Sequence, residues 1–334
     1  MMSPETFTAL IVEETAPKTF SRRIGKRNLS DLPAGDLLVR VHYSSLNYKD
    51  ALSATGNPGV SRKFPHTPGI DAAGEVVECA DGAFAPGQKV IVTSYDLGMN
   101  TPGGFGEYIR IPSAWAVPLP AGLSPRESMI YGTAGFTAAL SVLKLAQAGV
   151  GPGAGEILVT GATGGVGSLA VGILAQAGYQ VTAATGKTSE TEFLRNLGAT
   201  TIVSREEVLA GAERPMMKER WAGVVDVVGG PMLAAAIKST KARGAVTCCG
   251  LVGSPDLPVN VFPFILRGVS LIGIDSAECP MEPRRQTWDK LAGPWKLKNL
   301  ESTVTEIGLD GLEDQISAML KGQTRGRILV RVGG

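Results

Sequence analysis

The stretch Thr160-Gly161-Ala162-Thr163-Gly164-Gly165-Val166-Gly167 sits between the β-branched run Glu156 to Thr160 and the apolar run Val166 to Ala177. Glycine at these spacings lets a strand turn sharply into a helix. It also lets backbone N–H groups approach a pyrophosphate at the positive end of that helix. A glycine-rich turn by itself can be a plain connector, but a strand before it and a helix after it make it a dinucleotide-binding turn. Two other nucleotide motifs fail. Gly186-Lys187-Thr188 ends like a P-loop, yet the glycine required at position 181 is Val181. None of the six tyrosines has a lysine four residues later, which removes the Tyr-x-x-x-Lys pair of short-chain dehydrogenases.

Working outward, strand-like and helix-like runs alternate. Gln180 to Ala184 precedes Glu190 to Leu197, Thr201 to Val203 reads as a short strand, and Val224 to Val228 precedes Met232 to Ser239. Ala245 to Cys249 and Val269 to Ile274 follow. This alternation predicts a parallel sheet with helices on both faces. Upstream, Leu37 to Tyr43, Gly74 to Cys79, Lys89 to Thr93 and Glu107 to Ile111 are short β runs separated by Gly, Pro, Asn and Asp, the pattern of a barrel-like domain. The pattern changes near residue 128, where Phe136, Leu140 and Leu143 begin a helical apolar stripe. Downstream, Leu312 to Leu320 reads as a helix and Ile328 to Val332 as a strand. The fold class expected is α/β. Its parts are a β-rich domain over 1–127, a doubly wound Rossmann domain over 128–279, and a return to the first domain over 280–334.

The end of the second strand of such a fold selects the cofactor. An acidic residue there holds the adenosine ribose hydroxyls of NAD. Here the segment reads Ala183-Ala184-Thr185-Gly186-Lys187, without an acid. Ser189 and Glu192 have capping-box spacing, which places Lys187 in the turn before a helix. A cation there meets no carboxylate and attracts a 2′-phosphate, so NADPH is the expected cofactor.

The composition fits an enzyme of this kind. The 334 residues are 44% hydrophobic and 19% charged, with 32 basic and 31 acidic side chains, so neither nucleic acid nor an anionic membrane is the expected partner. Cys79, Cys248, Cys249 and Cys279 form no C-x-x-C pair, which speaks against a disulfide framework and for a reducing cytoplasm. The segment Met1 to Glu14 does not read as a signal peptide, and no uncharged apolar run is long enough to span a bilayer.

Several further motifs carry a resemblance. Ser44-Ser45-Leu46-Asn47-Tyr48-Lys49-Asp50, Pro68-Gly69-Ile70-Asp71 and Gly132-Thr133-Ala134-Gly135-Phe136-Thr137-Ala138 stand in order with the glycine turn. Pro263 to Arg267, Gly273 to Ser276 and Arg284-Arg285 follow them. Together they resemble the zinc-independent acrylyl-CoA reductase family of the medium-chain dehydrogenase/reductase superfamily, over nearly the whole chain. The resemblance implies a GroES-like substrate domain enclosing a Rossmann domain, an active site in the cleft between them, and a homodimer. It implies that Ala162, Thr163, Gly164, Gly165 and Val166 lie at the pyrophosphate, and that Thr185, Gly186, Lys187 and Arg205 surround the 2′-phosphate. Leu251, Ile265 and Ser276 would lie along the nicotinamide half, with Tyr48 reaching the nicotinamide. Zinc-dependent relatives place cysteine and histidine where this chain has Asn47 and Ile70, and a four-cysteine lobe where this chain has none. No catalytic metal is expected.

Without a Lewis acid, conjugate reduction of an enoyl thioester such as acrylyl-CoA is the expected chemistry. The developing enolate oxygen then needs a hydrogen-bond donor and the α-carbon needs a proton. Tyr48 is the candidate donor, or packs on the cofactor ribose. Asn47 orients substrate or cofactor, or bonds the loop backbone. Asp71 is expected to pair with Lys49 and fix the loop. Arg284 and Arg285 reach CoA phosphates, or face solvent. Two other readings stay open: a quinone or enone reductase of the same superfamily, and a nucleotide-binding protein with little turnover.

Overall fold

The computed structural model describes residues 4–333. Two compact units divide the chain. The first runs through Thr133 and takes back Ala277–Arg285 and the segment from Val304; the second comprises Ala134–Ser276 and Gln286–Thr303.

In chain order, the first unit opens with β1 (Thr6–Ala16), β2 (Thr19–Asn28) and β3 (Leu37–Leu46), then α1 (Tyr48–Ala54). It continues with β4 (Asp71–Cys79), β5 (Lys89–Thr93), β6 (Tyr108–Ile111) and β7 (Ala116–Pro118), and leads into α2 (Pro125–Gln147). The second unit carries β8 (Glu156–Val159), α3 (Gly165–Gln176), β9 (Gln180–Thr185), α4 (Thr191–Asn196), β10 (Thr201–Ser204) and α5 (Arg205–Leu209). It goes on through β11 (Trp221–Asp226), α6 (Gly230–Lys238), β12 (Thr240–Cys248), α7 (Phe262–Arg267) and β13 (Ser270–Gly273). The last elements are α8 (Met281–Ala292), β14 (Val304–Gly308), α9 (Leu312–Leu320) and β15 (Arg327–Arg331).

The second unit is a six-stranded parallel sheet in the order β10-β9-β8-β11-β12-β13. Its central strands are apolar without alternation: every residue of β11 is buried, because both faces are covered. One face packs Trp221, Val224, Leu233, Ala236 and Val246 into a single cluster. Strand order reverses beside β8, so the turn that follows β8 lies at the topological switch point where doubly wound folds bind nucleotides.

The first unit holds a sheet in the order β14-β15-β3-β4-β5-β7, with β6 also paired to β3. Its core alternates along the strands: Leu37, Val39 and Val41 point to one cluster with Val76, Val90 and Ile109. The β1–β2 hairpin, with alternating burial in β2, was not foreseen from the sequence. Its charged residues Arg22, Arg23 and Lys26 mask the period-2 signal. The C-terminal segment is also more divided than the expected single return from residue 280. Residues 286–303 go with the second unit, where Trp288 stacks on Phe136 at 6.1 Å. Leu297 packs so closely on Gly172 that a Cβ there would come within 2.8 Å of it.

Helix α2 is the one helix among the described residues long and apolar enough to cross a membrane, but 78% of its apolar window is buried inside the protein, as in a core helix. Gly132 interrupts it with φ 51° and ψ −157°.

Candidate active site

The glycine turn is built as the sequence requires. Gly161 takes a positive φ of 57°, and a Cβ on Gly167 would stand 2.2 Å from the Gly161 carbonyl oxygen. Only glycine lets α3 press this closely against the turn. Gly164 is the N-cap of α3 and offers no side-chain cap to the first amides of this twelve-residue helix. Ala162 and Thr163 are buried, and the Ala162 N–H donates to the Ala184 carbonyl, tying the turn to β9. Beneath it Asp226 is fully buried, accepting from the Thr160 hydroxyl at 2.7 Å and the Gly229 N–H at 2.8 Å. Burial pushes its carboxyl above the usual carboxylate range.

Thr185 ends β9 and Ser204 ends β10, paired side by side. The Thr185 hydroxyl accepts the Lys187 N–H at 2.9 Å. Arg205, the first residue of α5, is fixed by a capping box between Ser204 and Glu207. Its guanidinium lies over Gly186, where a Cβ would come within 2.8 Å of Nε. Two cationic residues, Lys187 and Arg205, therefore follow the ends of neighbouring strands. The capping box expected at Ser189 does not form: Lys187 instead caps a 3-10 turn, Thr188–Glu190, that runs into α4.

At the carboxyl ends of β11, β12 and β13 lies a cavity of 640 Å³, lined by Gly229, Cys249, Leu251, Ser254, Ile274 and Asp275 among others. Leu251 is on its wall. Ser276 follows Asp275, and its hydroxyl accepts from Thr137 at 2.8 Å. Ile265 is not brought to this cavity; it stands 69% exposed on α7.

In the first unit, Tyr48 is the first residue of α1 and 47% exposed. Asn47 caps that helix in a box with Asp50. Asp71, at the start of β4, is fully buried. Its carboxylate accepts from Ser45 Oγ at 2.6 Å, Asn47 Nδ2 at 2.8 Å, and the Thr133 N–H and hydroxyl at 2.9 and 2.5 Å. Arg327 Nη2 stands 4.0 Å away. The expected Asp71–Lys49 pair is therefore corrected: the Ser45 and Thr133 hydroxyls, the Asn47 amide and the Thr133 N–H occupy the carboxylate, and the nearby cation is Arg327. Gly132 makes this possible, since a Cβ there would meet Ser45 Oγ at 2.4 Å and Asp71 Oδ2 at 2.5 Å. Asp50 is also buried, accepting from the Asn47 and Ile70 N–H groups at 2.8 Å each. Desolvation first, then the neighbouring Asp71 charge, push its carboxyl up to about 7.

Arg284 is a second correction. It is fully buried, donating to the Thr93, Ala277 and Cys279 carbonyls and lying 4.3 Å over the Tyr95 ring, so it does not present itself to CoA phosphates. Arg285 is exposed.

Known proteins match along the whole chain. The profile of the alcohol dehydrogenase GroES-like domain covers residues 33–121, and that of the zinc-binding dehydrogenases covers 165–293. The chain is 44% identical to the acrylyl-CoA reductase of Ruegeria pomeroyi over 98% of this chain and 99% of that protein. It belongs to the acrylyl-CoA reductase family. The oxidoreductase yhdH of Salmonella enterica, solved in complex with NADP, superposes with a TM-score of 0.95 at 44% identity, covering 98% of this chain and 100% of that one. A Bacillus subtilis relative, called a putative quinone oxidoreductase, is 43% identical over 98% of this chain and 99% of its own.

Zinc does not fit the residues that this acrylyl-CoA reductase family member places where zinc-dependent relatives carry their metal ligands. Ile70 has no ligating atom, and the Asn47 amide is spent on Asp71, Asp50 and the Ser45 carbonyl. Among the described residues, no three His, Cys, Asp or Glu side chains group to hold a metal ion.

Sequence reasoning missed Ser45, Asp50, Thr133, Asp226 and Arg327. The first three lay in motifs quoted for resemblance but given no role. Nothing in the local sequence marked Arg327.

Proposed function

We propose that this chain reduces the carbon–carbon double bond of acrylyl-CoA to give propionyl-CoA, with NADPH as the reductant. The observation that carries this reading is the full-length 44% identity to an acrylyl-CoA reductase. The acid-free end of β9, with Lys187 and Arg205 above it, supports the choice of NADPH, because a 2′-phosphate is well served by two cations and poorly by a carboxylate.

The cofactor, when bound, supplies a hydride to the β-carbon of the enoyl thioester. The first amides of α3, at Gly165 and Val166, would hold the pyrophosphate, while Ala162 and Gly164, whose N–H groups bond the Ala184 and Gly161 carbonyls, shape the turn. Thr185, Gly186, Lys187 and Arg205 would hold the 2′-phosphate. Leu251 and Ser276 border the nicotinamide half. The Tyr48 phenol hydrogen-bonds to the thioester oxygen as enolate charge develops there and gives its proton to the α-carbon, and the phenolate left behind takes a proton from solvent. Asn47 holds the turn from which Tyr48 projects. In this assignment the first unit supplies substrate-binding groups, and the second, Ala134–Ser276 with Gln286–Thr303, binds the cofactor.

A quinone acceptor is the second reading, favoured by the Bacillus relative's name. Steady-state NADPH oxidation with acrylyl-CoA, longer enoyl-CoAs and quinones in parallel decides between the two. Brisk acrylyl-CoA turnover supports the reductase; quinone reduction with no enoyl-CoA turnover refutes it.

A homodimer and a cytoplasmic location complete the reading. Val261, Phe262, Ile265 and Leu266 around α7, with Leu271 on the edge strand β13, form an exposed apolar surface suited to a second copy of this chain. Sedimentation equilibrium at the mass of one chain would overturn the dimer.

A further inference from the structure

The buried charges around Asn47 are more numerous than a helix cap needs. One end of its side-chain amide faces a guanidinium and the other faces two carboxyl groups. Asn47 Oδ1 accepts from Arg327 Nη1 at 3.2 Å. Nδ2 donates to Asp71 Oδ2 at 2.8 Å and Asp50 Oδ2 at 3.2 Å. A guanidinium can only donate and a carboxylate can only accept, so this arrangement fixes which way the amide points. The Asn47 N–H is held by Asp50 as well.

Arg327 comes from β15, 280 residues away in sequence, and its Nε donates to the Ile130 carbonyl at 2.9 Å. Its Nη2 is buried with no hydrogen-bond partner. An orphaned donor is a standing cost, so this guanidinium sits where it does at the expense of stability. The object placed is the start of α1. That helix has seven residues, too few to hold itself in water, so its first turn takes its geometry from the cap. Tyr48 is the first residue of that turn.

We propose that Arg327, acting with Asp50 and Asp71 through Asn47, is a positioning residue that fixes the Tyr48 turn for the reduction step. This rests on the assignment of Tyr48 above. All three are buried, and each bonds the Asn47 side chain.

The test is Arg327→Lys in the full chain. Lysine keeps the positive charge facing Asp71 but loses the planar fork that serves both Ile130 and Asn47. The expected result is a folded enzyme with kcat for acrylyl-CoA lowered roughly 10- to 100-fold, since small misplacement of a reacting group costs rate on that scale. KM for acrylyl-CoA and the NADPH Kd, read by nucleotide fluorescence, stay near wild type. Wild-type kcat in the variant overturns the proposal, as does a loss of NADPH affinity that keeps step with kcat. Should Arg327→Lys not fold, Asp50→Asn, of the same shape, carries the same test and the same two outcomes. A wild type that reduces quinones but no enoyl-CoA refutes the substrate alone, and the kcat–KM split is then read with the quinone. A variant unimpaired on whatever the wild type turns over refutes the positioning role alone.

Discussion

The glycine turn of the second unit and the Asp71 network of the first are both closely packed, yet they are made in opposite ways. The turn is one contiguous octapeptide whose chemistry belongs to the backbone: positive φ at Gly161, no Cβ at Gly167, free amides at the α3 N-terminus. The network is made of side chains from β3, the α1 cap, β4, α2 and β15, with partners 24 to 280 residues apart. A backbone site tolerates any side chain that stays out of the way, and its glycines write it into the sequence. A side-chain network depends on every member, and nothing local announces it.

If that contrast is right, side-chain changes in the first unit strike the rate, whereas those in the second strike cofactor affinity. The largest effect expected is that of Tyr48→Phe. General acid catalysis typically contributes about 10²–10⁴-fold, so kcat should fall steeply while NADPH binds nearly as before. A Phe variant with unimpaired kcat would mean that Tyr48 only packs.

Lys187→Ala should do the reverse. Losing a charge-assisted bond costs roughly 1.5–3 kcal/mol, so NADPH affinity should drop by about 10- to 100-fold while NADH affinity and kcat hold. Equal wild-type affinity for the two cofactors would remove the basis for this claim.

The smallest effect sharpens the comparison through pH. The Asp50 carboxyl is raised from 3.8 to about 7 in the folded chain, so the native state binds the extra proton between those values. Its contribution to stability is present below about 4 and is lost as pH rises through about 7. Urea unfolding of the wild type should therefore lose stability between pH 5 and pH 8 relative to Asp50→Asn, in which this group no longer titrates. Parallel pH profiles for the two proteins would show that Asp50 is not held in this state.

How much was legible follows the same division. The parallel sheet, the glycine turn and the acid-free end of β9 were readable because period, glycine placement and charge are local properties. The helix Leu312–Leu320 was placed to the residue for the same reason. The β1–β2 hairpin was hidden by charged residues on its exposed face. Asp71 was singled out but assigned the wrong partner, because Lys49 is near it in motif order while Ser45, Thr133 and Arg327 meet it only in the fold. Arg284 was misplaced because adjacent arginines ordinarily face water, and only the tertiary structure supplies the carbonyls that bury it.

The most direct test of the central claim is isotopic. NADPH carrying deuterium at the transferable position of its nicotinamide should give propionyl-CoA with one deuterium at C3, the former β-carbon, and the C2 proton should come from solvent. In D₂O with ordinary NADPH the label should appear at C2 instead. Propionyl-CoA labelled in this reciprocal pattern is what the account predicts. Label from NADPH at C2, or NADPH consumed with acrylyl-CoA left unreduced, would contradict it.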